Sequence, residues 1–342
     1  MSNTIDRYSR QRLFFGIGDQ GQASISGKRV TLFGCGALGT HLAQHLVRAG
    51  VGFIRICDRD FVELDNLQRQ VLFDEDDVRS CMPKAEAAAA KLRRINSNIT
   101  IEARVVDISY ANVEDQIADV DLVVDGTDNF DTRYLLNEAC IKAGKSWVYG
   151  GVVGSTGMVF MVHPGKTACF ACMLPEQPEP GTAQTCDTAG ALSPAVAVVA
   201  ALQSAEALKF LAGKHQALSG KLMTIDVWNN EFQSMAIDRL DRCPVCVGHE
   251  QVFLTARAGG TATSLCGRNA VQITPSAGST IDLIELEQRL KAVSPAIKRN
   301  EFLIRADLEG CETTIFPDGR AIVKGTSDMT RARALYARFI GS

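Results

Sequence analysis

The chain has 342 residues, of which 46% are hydrophobic and 22% charged, and its net charge is −3. That is enough material for one large or two smaller cored domains, and the charge gives no basic field for nucleic acid. Eleven cysteines in a chain whose first residues lack a signal-peptide core point to thiol or metal chemistry in a reducing compartment, so a cytoplasmic protein is expected.

Residues 29 to 162 alternate between two periodicities. Strand-like segments fall at 29–33, 53–57, 101–106, 121–125, 147–150 and 158–163, and helical patterns at about 38–50, 84–95 and 131–143. Such alternation predicts an α/β fold with a doubly wound, Rossmann-like, mostly parallel sheet that binds ligands at the carboxyl ends of its strands. From Met173 to Leu192 the pattern stops, and Pro175, Pro178, Pro180, Gly181 and Gly190 predict a long irregular segment. Small and apolar residues over 193–211 then predict a buried or interface helix. Its most apolar run, Ala195 to Leu202, is too short to cross a bilayer, so no membrane partner is expected. The organisation expected is a nucleotide-binding domain over 1–248, a linker over 249–267 containing Gly259-Gly260, and a small α+β domain over 268–342. The last carries helical spacing over 281–293, a Phe316-Pro-Asp-Gly319 hairpin turn and a helix over 328–340.

The chemistry concentrates between Gly34 and Lys84. An apolar strand runs into Gly34-Cys-Gly36-Ala-Leu-Gly39 and a helix follows at once. Glycines there permit a tight turn and close backbone approach, while the helix amino terminus offers unpaired N–H groups to a phosphate. Asp58 closes the next strand, where an acid reaches ribose hydroxyls in this architecture. An NAD site needs no more than this. The chain adds Asp65-Asn66-Leu-Gln-Arg69-Gln70, Pro83-Lys84 and Asp125-Gly-Thr-Asp128-Asn129, a set suited to gripping and cleaving a polyphosphate. ATP is therefore expected over NAD, and an NAD-dependent oxidoreductase and a non-catalytic scaffold are the rival readings. Asp128 follows the apolar run Leu122-Val-Val124 and the turn Asp125-Gly126-Thr127, where it can hold Mg²⁺ on phosphate oxygens or cap the helix that follows, a role Asn129 fits even better.

Cys169-x-x-Cys172 and Cys243-x-x-Cys246 are two pairs about 70 residues apart, a spacing that suits a tetrahedral, structural Zn²⁺ site. His249 is surplus to four sulfurs. Cys186, in the irregular segment, is a nucleophile candidate or an inert thiol. Cys35, Cys57, Cys81, Cys140, Cys266 and Cys311 read as core. Arg10 lies in an amino-terminal arm, Arg7-Tyr-Ser-Arg10-Gln-Arg12, that composition alone reads as solvated.

RYSRQ at 7–11, GCGALG at 34–39, CDRDFVELDNLQRQ at 57–70, PKAEAA at 83–88, DGTDN at 125–129, the CxxC pairs and TCDTAG at 185–190 together resemble the ThiF/MoeB/HesA adenylyltransferases, bacterial relatives of the ubiquitin-activating enzymes. The resemblance covers about residues 5–248. It implies Mg·ATP binding and transfer of AMP to the diglycine carboxyl terminus of a ubiquitin-like sulfur carrier protein, with release of pyrophosphate. Carried over by motif, the residues around Gly36 hold phosphates and Asp58 the ribose. Asn66, Arg69 and Lys84 contact the triphosphate, and Asp128 handles Mg²⁺. Arg10 reaches the nucleotide of the other subunit in a homodimer. Cys186 matches a loop cysteine that forms a covalent link to the carrier in some members and is dispensable in others. Some relatives carry a carboxyl-terminal rhodanese domain. Neither Cys266-Gly-Arg-Asn269 nor Cys311 resembles its active loop, so sulfur is expected from a separate donor protein.

Overall fold

The computed structural model describes residues 6–178, 186–255, 261–265, 269–275, 280–294 and 296–341. Pro180, Gly181, Thr185, Gly259, Gly260 and Cys266 lie outside the described residues. The chain divides into two compact units, Met1–Ala256 and Arg257–Ser342.

In the first unit, apolar runs form five parallel strands: β1 (Arg29–Phe33), β2 (Phe53–Asp58), β3 (Thr100–Val105), β4 (Leu122–Asp125) and β5 (Ser146–Val153). Three antiparallel strands extend the sheet: β6 (Thr156–Val162), β7 (Lys221–Asp226) and β8 (Glu231–Ala236). The spatial order is β3-β2-β1-β4-β5-β6-β7-β8. The chain leaves β1 toward β2 and β3, then returns to place β4 on the other side of β1. Beyond the carboxyl ends of β1 and β4 is therefore the switch point where this architecture opens a crevice.

Alternation along the central strands feeds two cores. Val30 and Leu32 of β1 and Leu122 and Val124 of β4 pack into one. Phe33 and Val123 pack into the other. Both faces are covered, which is why these strands read as continuous apolar runs. Helices Ala37–Ala49, Lys84–Ile95 and Ser193–Leu211 contribute to the first core, with Ala85, Ala87, Ala88 and Ala89 providing small side chains for close packing. Among the described residues, Ser193–Leu211 alone is long and apolar enough to cross a membrane, and half of it is buried inside the unit. Helix Phe130–Lys142 packs in the second core beside Phe170 and the four paired cysteines.

An ion-pair network ties β1 to β2. Arg55, almost fully buried, donates to Glu102 Oε2 at 3.0 Å and to Asp119 Oδ1 at 2.7 Å. Arg29 reaches Asp119 Oδ2 at 2.5 Å.

Within 249–267, read from sequence as a linker, Val252–Thr255 forms a helical turn in the first unit. The buried Glu138 carboxylate accepts the N–H groups of Val252, Phe253 and Leu254 at 2.9–3.0 Å. Residues 261–265 form a strand of the second unit.

That unit is an antiparallel sheet of β9 (Thr261–Leu265), β10 (Ala270–Thr274), β11 (Lys298–Arg299), β12 (Ile304–Leu308), β13 (Cys311–Ile315) and β14 (Ala321–Lys324), in the order β11-β12-β13-β14-β10-β9. Helices Leu283–Leu290 and Met329–Phe339 begin at Asp282 and Asp328, whose carboxylates accept from N–H groups of the first turn. Leu283, Leu286 and Leu290 recur at helical spacing and pack with Ile304, Leu308 and Ile315.

Hydrogen bonds from Arg55, then from Arg29, hold the Asp119 carboxyl down at about 2, below its ordinary value. The folded value is depressed, so this contribution to stability is present above pH about 4 and lost as pH falls toward 2. Asp119→Asn is expected to flatten that part of the acid limb of melting temperature against pH. An unchanged slope between pH 4 and 2 contradicts the assignment.

Candidate functional site

The crevice begins at the turn after β1. Gly34 has φ of +81°, and a Cβ there would stand 2.6 Å from the Gly126 carbonyl oxygen. A Cβ on Gly39 would stand 2.0 Å from the Gly34 oxygen. These two glycines serve the protein's own backbone: the loop after β1 presses against the loop after β4 and against its own helix. Gly36 differs. A Cβ there meets nothing nearer than Gln70 Nε2, at 3.9 Å. Gly36 is also the N-cap of Ala37–Ala49, with no side-chain hydrogen bond closing the helix end. Open space over unpaired helical N–H groups is what a phosphate requires.

Charge surrounds this opening. Asp58, at the end of β2, accepts the Cys35 N–H on Oδ2 at 2.5 Å and the Asp60 N–H on Oδ1 at 2.7 Å. Burial raises its pKa, and the positive charge of Lys84 works against that rise. Each carboxylate oxygen retains a second lone pair, so these bonds leave capacity for a ribose hydroxyl. Lys84 opens helix Lys84–Ile95; its side chain is buried and its Nζ lies 3.4 Å from Asp60 Oδ2. Arg59 bridges Asp107, at 2.9 Å, and Asp60, at 3.7 Å.

The turn after β2 is more inwardly engaged than its motif suggests. Asn66 is buried, accepts the Glu63 N–H on Oδ1 at 3.2 Å and donates Nδ2 to Asp65 Oδ1 at 2.9 Å. Arg69 is half-buried and donates Nη1 to the Asp65 carbonyl at 2.8 Å. The buried Gln70 faces Gly36, and its Oε1 has no hydrogen-bond partner among the described residues.

The opposite lip is the 125–129 turn. Asp125 is fully buried, with its Oδ2 3.2 Å from Arg133 Nε and its Oδ1 accepting the N–H (2.9 Å) and hydroxyl (2.6 Å) of Thr127. Burial raises its pKa and Arg133 opposes the rise. Arg133 also donates to the Thr127 and Gly150 carbonyls, and Gln203 Nε2 donates to the Asp125 carbonyl at 2.8 Å. Asn129 is the N-cap of Phe130–Lys142, its side chain accepting the Thr132 N–H at 2.8 Å. With the helix capped by Asn129, the neighbouring Asp128 is left exposed at the lip, where its charge is felt by both Arg59 and Arg133.

Two expected residues stand apart. Arg10, exposed on helix Ser9–Leu13, belongs to an arm fixed at the far end of Ala37–Ala49, where Gln11 Nε2 donates to the Ala49 carbonyl at 2.9 Å. A helix of that length spans about 20 Å, so Arg10 lies about that far from the glycine loop of its own chain. Cys186 begins a short helix, and its thiol donates to the Val152 carbonyl on β5 at 3.0 Å.

The paired cysteines converge. The Sγ atoms of Cys169, Cys172, Cys243 and Cys246 are buried and lie within 4.8 Å of one another. The separations of 3.8, 3.6 and 3.6 Å for 169–172, 169–243 and 172–246 match the sulfur edges, about 3.8 Å, of a tetrahedron with Zn–S of about 2.3 Å. Asn137 holds the arrangement from behind, approaching Cys169 Sγ at 3.5 Å and accepting the Phe170 N–H at 3.0 Å. His249 is exposed and not part of the group.

A family model described as the ThiF family matches residues 8–245. The chain belongs to the ThiF family. It is 43% identical over 337 residues to a Bacillus subtilis protein named sulfur carrier protein ThiS adenylyltransferase, covering 98% of this chain and 99% of that one. That match therefore runs through the carboxyl-terminal unit. A SAMP-activating enzyme E1 from Haloferax volcanii is 38% identical over 242 residues, 71% of this chain and 88% of the relative. Among solved structures, that of Escherichia coli MccB with ATP has a TM-score of 0.63 and 27% identity, covering 71% of this chain and 75% of that one. The matched span includes the turn after β1, both lips and three of the four clustered cysteines, with Cys246 one residue beyond it.

Sequence reasoning left Asp60, Arg59, Asp107 and Gln203 without roles, and read Asp125 in the crevice motif and Arg133 as structural without pairing them. For that pair, an acid closing a buried strand eight residues before an arginine on the next helix was an available signal.

Replacing Arg133 with Met strands the buried Asp125 charge and is expected to cost about 3–5 kcal/mol in urea unfolding, with Asp125→Asn restoring part of the loss. Equal stability of wild type and Arg133→Met contradicts this. The purified protein is expected to carry one zinc per chain by metal analysis, and Cys172→Ser to lose it together with at least about 3 kcal/mol of stability. A zinc-free protein with undiminished stability contradicts a metal clip.

Proposed function

We propose that this chain is an ATP-dependent adenylyltransferase acting on the carboxyl-terminal diglycine carboxylate of a ubiquitin-like sulfur carrier protein, for sulfur transfer in thiamin or molybdopterin biosynthesis. The observation that carries the reading is the near full-length likeness to a protein named ThiS adenylyltransferase, joined to a crevice furnished for a polyphosphate.

In this reading a carboxylate oxygen attacks the α-phosphorus, the bond to the β-phosphate oxygen breaks, and pyrophosphate leaves with its electron pair. The product is an acyl adenylate. Attack of one anion on another is opposed by charge repulsion, so the residues must neutralise the phosphoryl oxygens and the leaving group. The open helix end at Gly36 receives phosphate, Asp58 takes the ribose, and Lys84 and Arg69 hold the triphosphate. Asn66 and Asn129 contribute by holding the two turns with their side chains. Asp128, exposed at the lip beside the capped helix, would hold Mg²⁺, which supplies Lewis-acid neutralisation of phosphate charge when bound. The four cysteines would hold a structural Zn²⁺, and Cys186 stands at the same end of the sheet as a candidate for later attack on the activated carrier.

Arg10 lies too far from its own glycine loop to serve it, and Leu13, Phe14 and Phe15 just after it are exposed at 74%, 55% and 91%. A homodimer resolves both features by placing Arg10 at the partner's crevice and covering the apolar residues. Sulfur then comes from a separate donor protein in the same cytoplasmic compartment.

Asp128→Ala and Arg69→Ala are each expected to reduce carrier-dependent ATP–pyrophosphate exchange by about 100-fold or more with unchanged circular dichroism. Near-normal exchange in both removes those assignments. Arg10→Ala and Lys84→Ala, each inactive alone, are expected to regain activity when mixed and allowed to exchange subunits, because one of the two sites in the mixed dimer is then intact. No recovery in a mixture that forms mixed dimers contradicts action across the subunits.

A further inference from the structure

We infer that Asp60, backed by Arg59 and Asp107, is the positioning residue that sets where the Lys84 ammonium meets a nucleotide triphosphate. The inference rests on the reading of the crevice as an ATP site and gives a task to three residues that reading leaves idle.

The four side chains form a row of alternating charge from the end of β3 to the first turn of helix Lys84–Ile95. Asp107 Oδ1 lies 2.9 Å from Arg59 Nη1, and Arg59 Nε lies 3.7 Å from Asp60 Oδ1. The other Asp60 oxygen, Oδ2, lies 3.4 Å from Lys84 Nζ. The carboxylate is thus shared, one oxygen toward each cation.

A purely architectural role does not account for this arrangement. The Asp60 segment is already stapled to the Lys84 segment by main-chain bonds: Lys84 N–H to the Asp60 carbonyl at 2.9 Å, Val62 N–H to the Met82 carbonyl at 2.9 Å, and a bridge between Phe61 and Pro83. Those contacts need no carboxylate. What uses one is the ammonium, whose side chain is only 6% exposed and whose charge is also felt by Asp58. A charge so withdrawn from water is costly without carboxylates nearby, and Asp60 stands at ion-pair distance from it. At 3.4 Å the pair is longer than an ideal charge-assisted bond, so the ammonium is matched without being locked. Arg59 answers the drawback, for a carboxylate beside a phosphate site repels the ligand unless its charge is drawn away. Arg59 draws it through the Asp60 oxygen that does not face Lys84.

If Asp60 acts through Lys84, losing the lysine makes losing the aspartate inconsequential. The test is a double-mutant cycle of Asp60→Asn and Lys84→Ala, read in Mg·ATP affinity by calorimetry. Asp60→Asn is expected to weaken ATP binding about 10-fold, Asp60→Glu to restore most of it, and the double variant to match Lys84→Ala within about twofold. Losses that multiply, or an Asp60→Asn protein that binds as wild type does, overturn the inference. Should Asp60→Asn fail to fold, Arg59→Gln replaces it in the same cycle, with a loss of about threefold expected to vanish in the Lys84→Ala background. Wild-type protein that binds ATP but shows no exchange refutes adenylation, while the affinity cycle still decides the coupling. Wild-type protein that does not bind Mg·ATP overturns both.

Discussion

Charge withdrawn from water has to be matched within a few ångströms, and the mouth of the parallel sheet is arranged around that requirement. On one lip Asp125 is fully buried against Arg133, which also ties the Thr127 and Gly150 carbonyls. On the other, Lys84 is buried against Asp60, and Asp58 is held by two main-chain N–H groups. Between them the Gly36 helix end is closed by no side chain. The pairs hold both lips, and in the proposed reaction a polyphosphate would meet cations and N–H groups already in place. Preorganisation of this kind is what a reaction between two anions demands, since little reorganisation is left for the moment of transfer.

One helix carries this order away from the crevice. In Phe130–Lys142, the cap Asn129, then Arg133, then Asn137 recur every four residues and so share a face. They serve in turn the 125–129 turn, the buried Asp125 and the Cys169 sulfur. Glu138, the next residue, caps Val252–Thr255, and Tyr134 stacks on Phe253 with ring centroids 5.1 Å apart. The cysteine cluster and the 125–129 lip are consequently braced by the same thirteen-residue helix.

The parallel half of the fold was legible because its elements are strongly periodic. The strand at 29–33 and the helix at 84–95 were read with their observed bounds, and most others within one or two residues. The antiparallel extension was not fully read. All residues of β8 are exposed, so no alternation marked Glu231–Ala236 as a strand. In the crevice, the places of Gly34 and Gly39 in a tight turn, of Asp58 at a strand end and of Lys84 at a helix start were legible because those demands are local. Asp107 with Arg59, and Gln203 with the Asp125 carbonyl, were not, since those partners lie 48 and 78 residues apart and meet only through the sheet order. Asn66 shows the opposite limit. Its motif implies phosphate contact, yet its side chain is turned to Glu63 and Asp65. For Arg10, composition suggested a solvated arm, and the structure places that residue exposed, on an arm held at the far end of Ala37–Ala49.

The central claim is that an oxygen of a protein carboxylate becomes bonded to the α-phosphorus of ATP. The most direct measurement is to label the carrier's terminal carboxylate with ¹⁸O, incubate it with this protein and Mg·ATP, and release the acyl group with hydroxylamine. Attack on the acyl carbon leaves the bridging oxygen on phosphorus, so the account predicts ¹⁸O in the recovered AMP. Unlabelled AMP, or ADP as the nucleotide product, contradicts it.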